Sequence, residues 1–366
     1  MNERYSRQLV LKGFGIAAQE KLGQASVLVI GAGGLGCPAL QYLSAAGIGR
    51  LGIVDGDRVT LSNLHRQILY TTMDIGKLKA EAATERLKAA NSDVVFASYP
   101  FFIDELRCLE LIGGYDMVLD CSDNFATRYM VNDACALLDK PLVFAAVSDY
   151  EGQLAVFARS GEKAERANYR DIFPVQPASR EISNCQDSGV LGVLPGIIGT
   201  MQAAEAIKLI TNIGKPLINQ LLHYDLLTQN NYTIDISVSQ AGANQLPADR
   251  QLFLSTDYGL EQTLCSDDLS EINGQALQEI MHNSSTVIID VRELHELPAL
   301  KRRHLRIPLS LFETAIASEI AEDKIVLICQ YGTRSGIAAK KLQDIYGADK
   351  RIYNLKGGLA RCNIEL

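Results

Sequence analysis

The chain has 366 residues, 47% of them hydrophobic and 21% charged, with a formal net charge of −8. That length exceeds the usual size of one core, so two domains are expected. The acidic balance excludes the basic footprint that nucleic acid or an anionic membrane surface would need. Met1-Asn2-Glu3-Arg4-Tyr5-Ser6-Arg7 shows no basic-plus-apolar leader. No uninterrupted apolar stretch is long enough to span a bilayer, so a cytoplasmic protein is expected. Eight cysteines with no C-x-x-C pair make neither a disulfide framework nor a zinc knuckle, and any important cysteine acts as a reduced thiol.

Short β-branched runs at 27–30, 51–54, 94–97, 117–119 and 142–146 alternate with helical patterns. Apolar runs without strict alternation suit parallel strands buried on both faces, which predicts a Rossmann-like, doubly wound α/β sheet. Residues 153–158 then alternate as an antiparallel strand, a long apolar helix covers 193–210, and 221–227 and 232–236 extend the sheet antiparallel. Residues 237–247, rich in Ser, Gln, Ala, Gly and Asn, interrupt the pattern. The expected division is therefore a first domain at 1–240, a linker at 241–267, and a smaller α/β domain at 268–366. In the last, strands are expected at 287–290, 325–329 and 351–354, with a helix at 337–345.

Gly31, Gly33 and Gly36, with Gly34 between them, stand in G-x-G-x-x-G spacing between a strand and a helix beginning near Pro38. Glycines there allow backbone N–H groups to approach phosphate closely, with a positive helix terminus behind them. Asp55 and Asp57 follow the next strand, where a carboxylate accepts from ribose hydroxyls. This much fits a nicotinamide enzyme equally well. Ser62-Asn63-Leu64-His65-Arg66-Gln67, Lys77 and Lys79 go beyond a nicotinamide's needs and suit a triphosphate, whose developing charge calls for cations and a carboxylate-held Mg²⁺. Asp120-Cys121-Ser122-Asp123-Asn124 supplies carboxylates at the end of the fourth strand.

These motifs, with Arg4-Tyr5-Ser6-Arg7-Gln8 at the start and Ser188-Gly189-Val190-Leu191-Gly192 later, resemble the MoeB/ThiF family of ubiquitin-activating-like enzymes from Tyr5 to about Ile236. The resemblance implies ATP- and Mg²⁺-dependent adenylation of the C-terminal Gly-Gly carboxylate of a small ubiquitin-like sulfur-carrier protein. A MoaD-like carrier for molybdopterin synthesis is favoured over a ThiS-type carrier for thiamine thiazole synthesis or a carrier for tRNA thiolation. By motif, Asp55 would hold the ribose, Asn63, Arg66 and Lys79 the phosphates, and Asp123 the magnesium. Arg7 would reach the site of a neighbouring subunit, which implies a homodimer. Cys185 stands where the family places a cysteine able to bond the carrier. Relatives often bind zinc through two C-x-x-C pairs; here Asn168 and Asp171 stand in the first, the second is missing, and no zinc site is expected.

Near the C-terminus, Cys329-Gln330-Tyr331-Gly332-Thr333-Arg334-Ser335 joins an apolar strand to a helix. Backbone N–H groups and a helix terminus would favour an anionic sulfur there, and Arg334 would add charge. With Asp290-Val291-Arg292-Glu293 and Leu355-Lys356-Gly357-Gly358-Leu359, the stretch resembles a rhodanese domain over about 268–366. That resemblance implies a Cys329 persulfide, loaded by a cysteine desulfurase or another sulfur donor. Two other readings fit less of the sequence: a NAD-dependent oxidoreductase with a redox thiol, and a non-catalytic scaffold that docks the carrier.

Overall fold

The computed structural model describes residues 3–158, 166–177, 189–258, 270–281, 285–294, 296, 300–301, 304–312, 320–330, 332–347, 349–355 and 357–362. The chain forms two compact units, Met1–Tyr258 and Gly259–Leu366.

In the first unit the apolar runs become β1 (Ser26–Ile30), β2 (Arg50–Val54), β3 (Val95–Tyr99), β4 (Met117–Asp120) and β5 (Leu142–Ser148). These pair parallel in the order β3-β2-β1-β4-β5. Val27, Leu28 and Val29 of β1 are fully buried, as a strand covered by helices on both faces must be. Strands β6 (Glu151–Phe157), β7 (Gln220–Asp225) and β8 (Asn231–Asp235) extend the sheet antiparallel to eight strands. Chain order reverses beside β1, between β2 and β4, and the carboxyl ends of strands at such a reversal are where open α/β sheets bind ligands.

The helix Val193–Thr211 is long and apolar enough to cross a membrane by length and composition. Here it packs against the helix Gly36–Ala46 and strands β5 and β6. Its polar residues Gln202 and Glu205 are buried as well, and both are hydrogen-bonded within the unit.

The linker expected at 241–267 is corrected where the structure describes it. Gln240–Ala243 and Arg250–Ser255 are helices, and Phe253 and Tyr258 are buried in the first unit. The Tyr258 hydroxyl donates to Asp133 Oδ2 (3.0 Å), whose carboxylate also takes Arg170 Nε and Nη2, each at 2.7 Å. Polar composition resembled a linker because two aromatic anchors and this buried ion pair, rather than an apolar stripe, hold the segment down.

The same lobe explains the substituted zinc positions. Asp171 Oδ2 accepts from the Asn168 backbone N–H (2.8 Å) and side chain (2.7 Å), and Oδ1 accepts from the Ser239 N–H (2.7 Å) and hydroxyl (3.0 Å). The Gly242 N–H donates to Ser239 Oγ at 2.9 Å, and a Cβ on Gly242 would stand 2.6 Å from Asp171 Oδ1. Two i,i+3 pairs, 168/171 and 239/242, thus meet as a hydrogen-bonded brace. It offers a metal no thiolate or imidazole, and zinc does not fit it. Asp171→Ala leaves four buried or half-buried donors without their acceptor, and a loss of about 1–3 kcal/mol is expected. Urea denaturation followed by circular dichroism checks this.

The second unit is a parallel five-stranded sheet, ordered β11-β10-β12-β13-β9. Its strands are β9 (Ser270–Ile272), β10 (Thr286–Asp290), β11 (Leu305–Arg306), β12 (Lys324–Ile328) and β13 (Arg351–Leu355). The short outer strands β9 and β11 were not expected; two or three residues carry too little periodicity to read.

Candidate functional site

At the carboxyl edge of the large sheet, the chain leaves β1 through Gly31, whose N–H donates to Val54 O (2.8 Å). Its φ of +96° and an ideal Cβ only 2.5 Å from Cys121 O leave room for glycine alone. Gly33 and Gly34 then lead into the helix Gly36–Ala46, whose amino end backs the loop. Half-buried Asp55 spans the turn: Oδ2 accepts from Ala32 N–H and Oδ1 from Asp57 N–H, both at 2.8 Å. Burial pushes its carboxyl up, and the neighbouring Lys79 works against that rise.

Lys79 opens the helix Lys79–Ala90, is buried, and donates from Nζ to Asp57 Oδ2 at 3.0 Å. Burial disfavours its ammonium, but the charges of Asp55, Asp57 and Asp123 outweigh burial and raise its pKa. Exposed Asp123 thus belongs with Lys79, in the turn after β4. Asn63 ends a short 3-10 turn (Leu61–Asn63), where its carbonyl accepts from the N–H groups of Arg66 (3.0 Å) and Gln67 (2.9 Å). Arg66 lies along the loop: a Cβ on Gly34 would stand 3.6 Å from its Cδ, and its Nη1 lies 2.8 Å from His65 Nε2. The structure therefore brings Gly31, Gly33, Gly34, Gly36, Asp55, Asp57, Asn63, Arg66, Lys79 and Asp123 to one sheet edge.

Two further cations lie away from this edge. Lys77 pairs with Asp74 (3.1 Å) and Glu85 (3.5 Å), because the capping turn at Thr71–Asp74 presents a buried carboxylate to it. Exposed Arg7 lies on the helix Ser6–Leu9, whose Gln8 donates to Ala46 O at 3.1 Å. It is thus at the far end of Gly36–Ala46 from the glycine loop, about 16 Å away at 1.5 Å per residue.

Sequence reading missed the groups that hold this edge in place. Gln202 Nε2 donates to Asp120 O (2.8 Å) and Val143 O (3.2 Å), and its Oε1 accepts from the Cys121 thiol (3.3 Å). Fully buried Asp120 takes the Ser122 N–H (2.9 Å) and hydroxyl (2.6 Å), fixing the turn that presents Asp123. A glutamine inside an apolar helix was the available signal.

In the second unit β12 delivers Cys329, 1% exposed. The Gly332 N–H donates to Sγ at 3.1 Å, and the Ser335 hydroxyl lies 3.3 Å from Sγ. Buried Asn354, also missed, ties the rim by accepting from Ser335 (2.7 Å) and donating to Gly332 O (3.1 Å). Gly358, at φ +59°, backs the cradle so closely that a Cβ would stand 2.5 Å from Cys329 O. Arg334, expected to add charge at the sulfur, closes a two-pronged bridge on Glu296 (2.6 and 2.8 Å). Burial would raise the Glu296 carboxyl, but Arg334 holds it below the usual range, so much of the guanidinium charge is neutralised. Cys185 lies outside the described residues.

The residues do fit a magnesium ion brought with a nucleotide. Mg²⁺ ordinarily takes one or two carboxylates together with phosphate oxygens, and exposed Asp123 offers one such carboxylate. Among the described residues no three His, Cys, Asp or Glu side chains form a ready metal cluster.

The ThiF family model matches residues 5–245, and the rhodanese-like domain model matches 273–363. The sulfur carrier protein adenylyltransferase of Thermus thermophilus is 51% identical over 226 residues, 62% of this chain and 83% of that protein. The adenylyltransferase and sulfurtransferase MOCS3 of Xenopus laevis is 36% identical over 389 residues, covering 97% of this chain and 85% of its own. The MOCS3 protein of Drosophila persimilis is 39% identical over 378 residues, with 97% and 82% covered. Among solved structures, PaaA matches with TM-score 0.54 and 25% identity over 64% of this chain and 73% of its own. Escherichia coli MccB with AMPCPP and MccA shares the fold at TM-score 0.58 and 23% identity, over 65% and 73%.

The fold and both sites define an adenylyltransferase joined to a sulfurtransferase unit. The chain belongs to the ThiF family, with a rhodanese-like domain at its C-terminal end.

Proposed function

We propose that the first unit adenylates the C-terminal Gly-Gly carboxylate of a small ubiquitin-like sulfur-carrier protein, and that Cys329 supplies the sulfur that replaces AMP. One observation carries this reading: a buried lysine, Lys79, set among Asp55, Asp57 and Asp123 beside a glycine loop. That is a clamp for a polyanion with a cation of its own. In the first step a carboxylate oxygen of the carrier attacks the α-phosphorus of ATP and pyrophosphate leaves. Glycine-loop N–H groups, Asn63, Arg66 and Lys79 hold the phosphates, and Asp55 holds the ribose. Asp123 would hold Mg²⁺, which offsets phosphate charge when bound. Positioning and charge stabilisation do most of the work, since the carboxylate needs no deprotonation.

In the second step the terminal sulfur of a Cys329 persulfide attacks the acyl carbon and AMP departs, leaving an acyl disulfide. A cellular thiolate then attacks Cys329 Sγ and releases the carrier thiocarboxylate, and a second thiol reduces the resulting disulfide. A cysteine desulfurase or another sulfane-sulfur donor reloads Cys329. The fused rhodanese-like unit favours a MoaD-like carrier serving molybdopterin synthesis in the cytoplasm over ThiS-type or tRNA-thiolation carriers.

Arg7 would complete the site of a second copy, since its own glycine loop lies at the other end of a helix. The exposed Leu61, Ile68 and Met73 support such a homodimer. ATP–pyrophosphate exchange that depends on a Gly-Gly carrier tests the first step. Absence of exchange with every such carrier of the source organism would refute it.

A further inference from the structure

We infer that the Tyr70 hydroxyl sets the glycine loop in register with Lys79, which makes Tyr70 a positioning residue for the nucleotide. Tyr70 is 5% exposed. Its hydroxyl lies 2.8 Å from Ala32 O, in the middle of the glycine loop, and 3.2 Å from Lys79 O, at the start of the lysine helix. One phenol proton is thus shared between the two elements that carry the phosphate-facing groups.

The Ala32 peptide is gripped from both sides. Its N–H is taken by Asp55 (2.8 Å), while its carbonyl accepts from Tyr70 and, more weakly, from the buried Cys37 thiol at 3.5 Å. Holding that carbonyl inward fixes the plane of the adjoining peptides and so the direction of the loop N–H groups. Burial raises the phenol's pKa, so the group stays a donor at any working pH.

The inference rests on ATP occupying the glycine loop, and the test separates the two. Tyr70→Phe keeps the ring and removes only the hydroxyl. Its Kd for ATP, measured by calorimetry in magnesium buffer, is expected to rise about 2–10-fold, the worth of one net hydrogen bond. Tyr129→Phe is the matched control: its buried hydroxyl donates to Phe173 O (2.9 Å) and Val175 O (3.0 Å) in the 169–175 segment. That variant is expected to lose similar thermal stability and keep the wild-type Kd. Cys37→Ala, which removes the second donor on Ala32 O, is expected to weaken ATP in the same direction by less. Amide exchange in the 31–36 peptide is expected to quicken in Tyr70→Phe. Wild-type ATP affinity in Tyr70→Phe, or unchanged exchange at 31–36, would overturn the inference alone. Failure of the wild-type chain to bind ATP would overturn the ATP assignment and the inference together.

Discussion

Lys79→Ala is expected to lower carrier-dependent ATP–pyrophosphate exchange by about 10²–10³-fold, the usual consequence of removing one charge-stabilising group from a preorganised site. The ammonium is buried, paired with Asp57, and raised in pKa by three carboxylates that outweigh its burial. Without it, Asp55, Asp57 and Asp123 face an incoming triphosphate with their charge unopposed, so both nucleotide binding and the chemical step suffer. Transfer of sulfur from thiosulfate to cyanide, assayed in the same variant, is expected to stay within about twofold, because Lys79 and Cys329 belong to different compact units. That second assay distinguishes a lost clamp from a misfolded chain. Exchange at the wild-type rate would show that the carboxylate cluster and its lysine are an ordinary ion-pair network.

Cys329→Ala is expected to produce the opposite pattern. Sulfur transfer from thiosulfate to cyanide requires a nucleophilic sulfur to displace sulfite and hold the sulfane atom, and alanine offers none. The rate is expected to fall by at least about 10³-fold, while ATP–pyrophosphate exchange keeps its wild-type value. The cradle is built for that atom: Gly332 N–H and Ser335 converge on Sγ, Asn354 fixes both, and Gly358 closes the back. Full sulfur transfer in the alanine variant would reduce the second unit to a docking module.

Much of this was legible in the chain because the signals were local. Buried parallel strands read as apolar runs, and the glycine loop, Ser62–Gln67 stretch and Cys329 loop each sit within a few residues of one another. What escaped were long-range polar contacts, which leave no periodicity. Arg334 meets a carboxylate 38 residues away, and Gln202 reaches strands 82 and 59 residues before it. Tyr70 joins the loop and the lysine helix across the fold. The linker was misplaced for the same reason: its attachment depends on Phe253, Tyr258 and Asp133 rather than on pattern. Asn168 and Asp171 were recognisable as departures from a metal site, yet only the structure shows Ser239 and Gly242 completing a brace with them.

The most direct measurement of the central claim is the intact mass of a Gly-Gly carrier after incubation with this enzyme, ATP, magnesium, thiosulfate and a reducing thiol. The account requires one oxygen of the C-terminal carboxyl to be replaced by sulfur, with AMP released in equal amount, and no such replacement when ATP is omitted or when Cys329→Ala is used. A carrier of unchanged mass despite ATP consumption, or sulfur incorporation that needs no ATP, would contradict it.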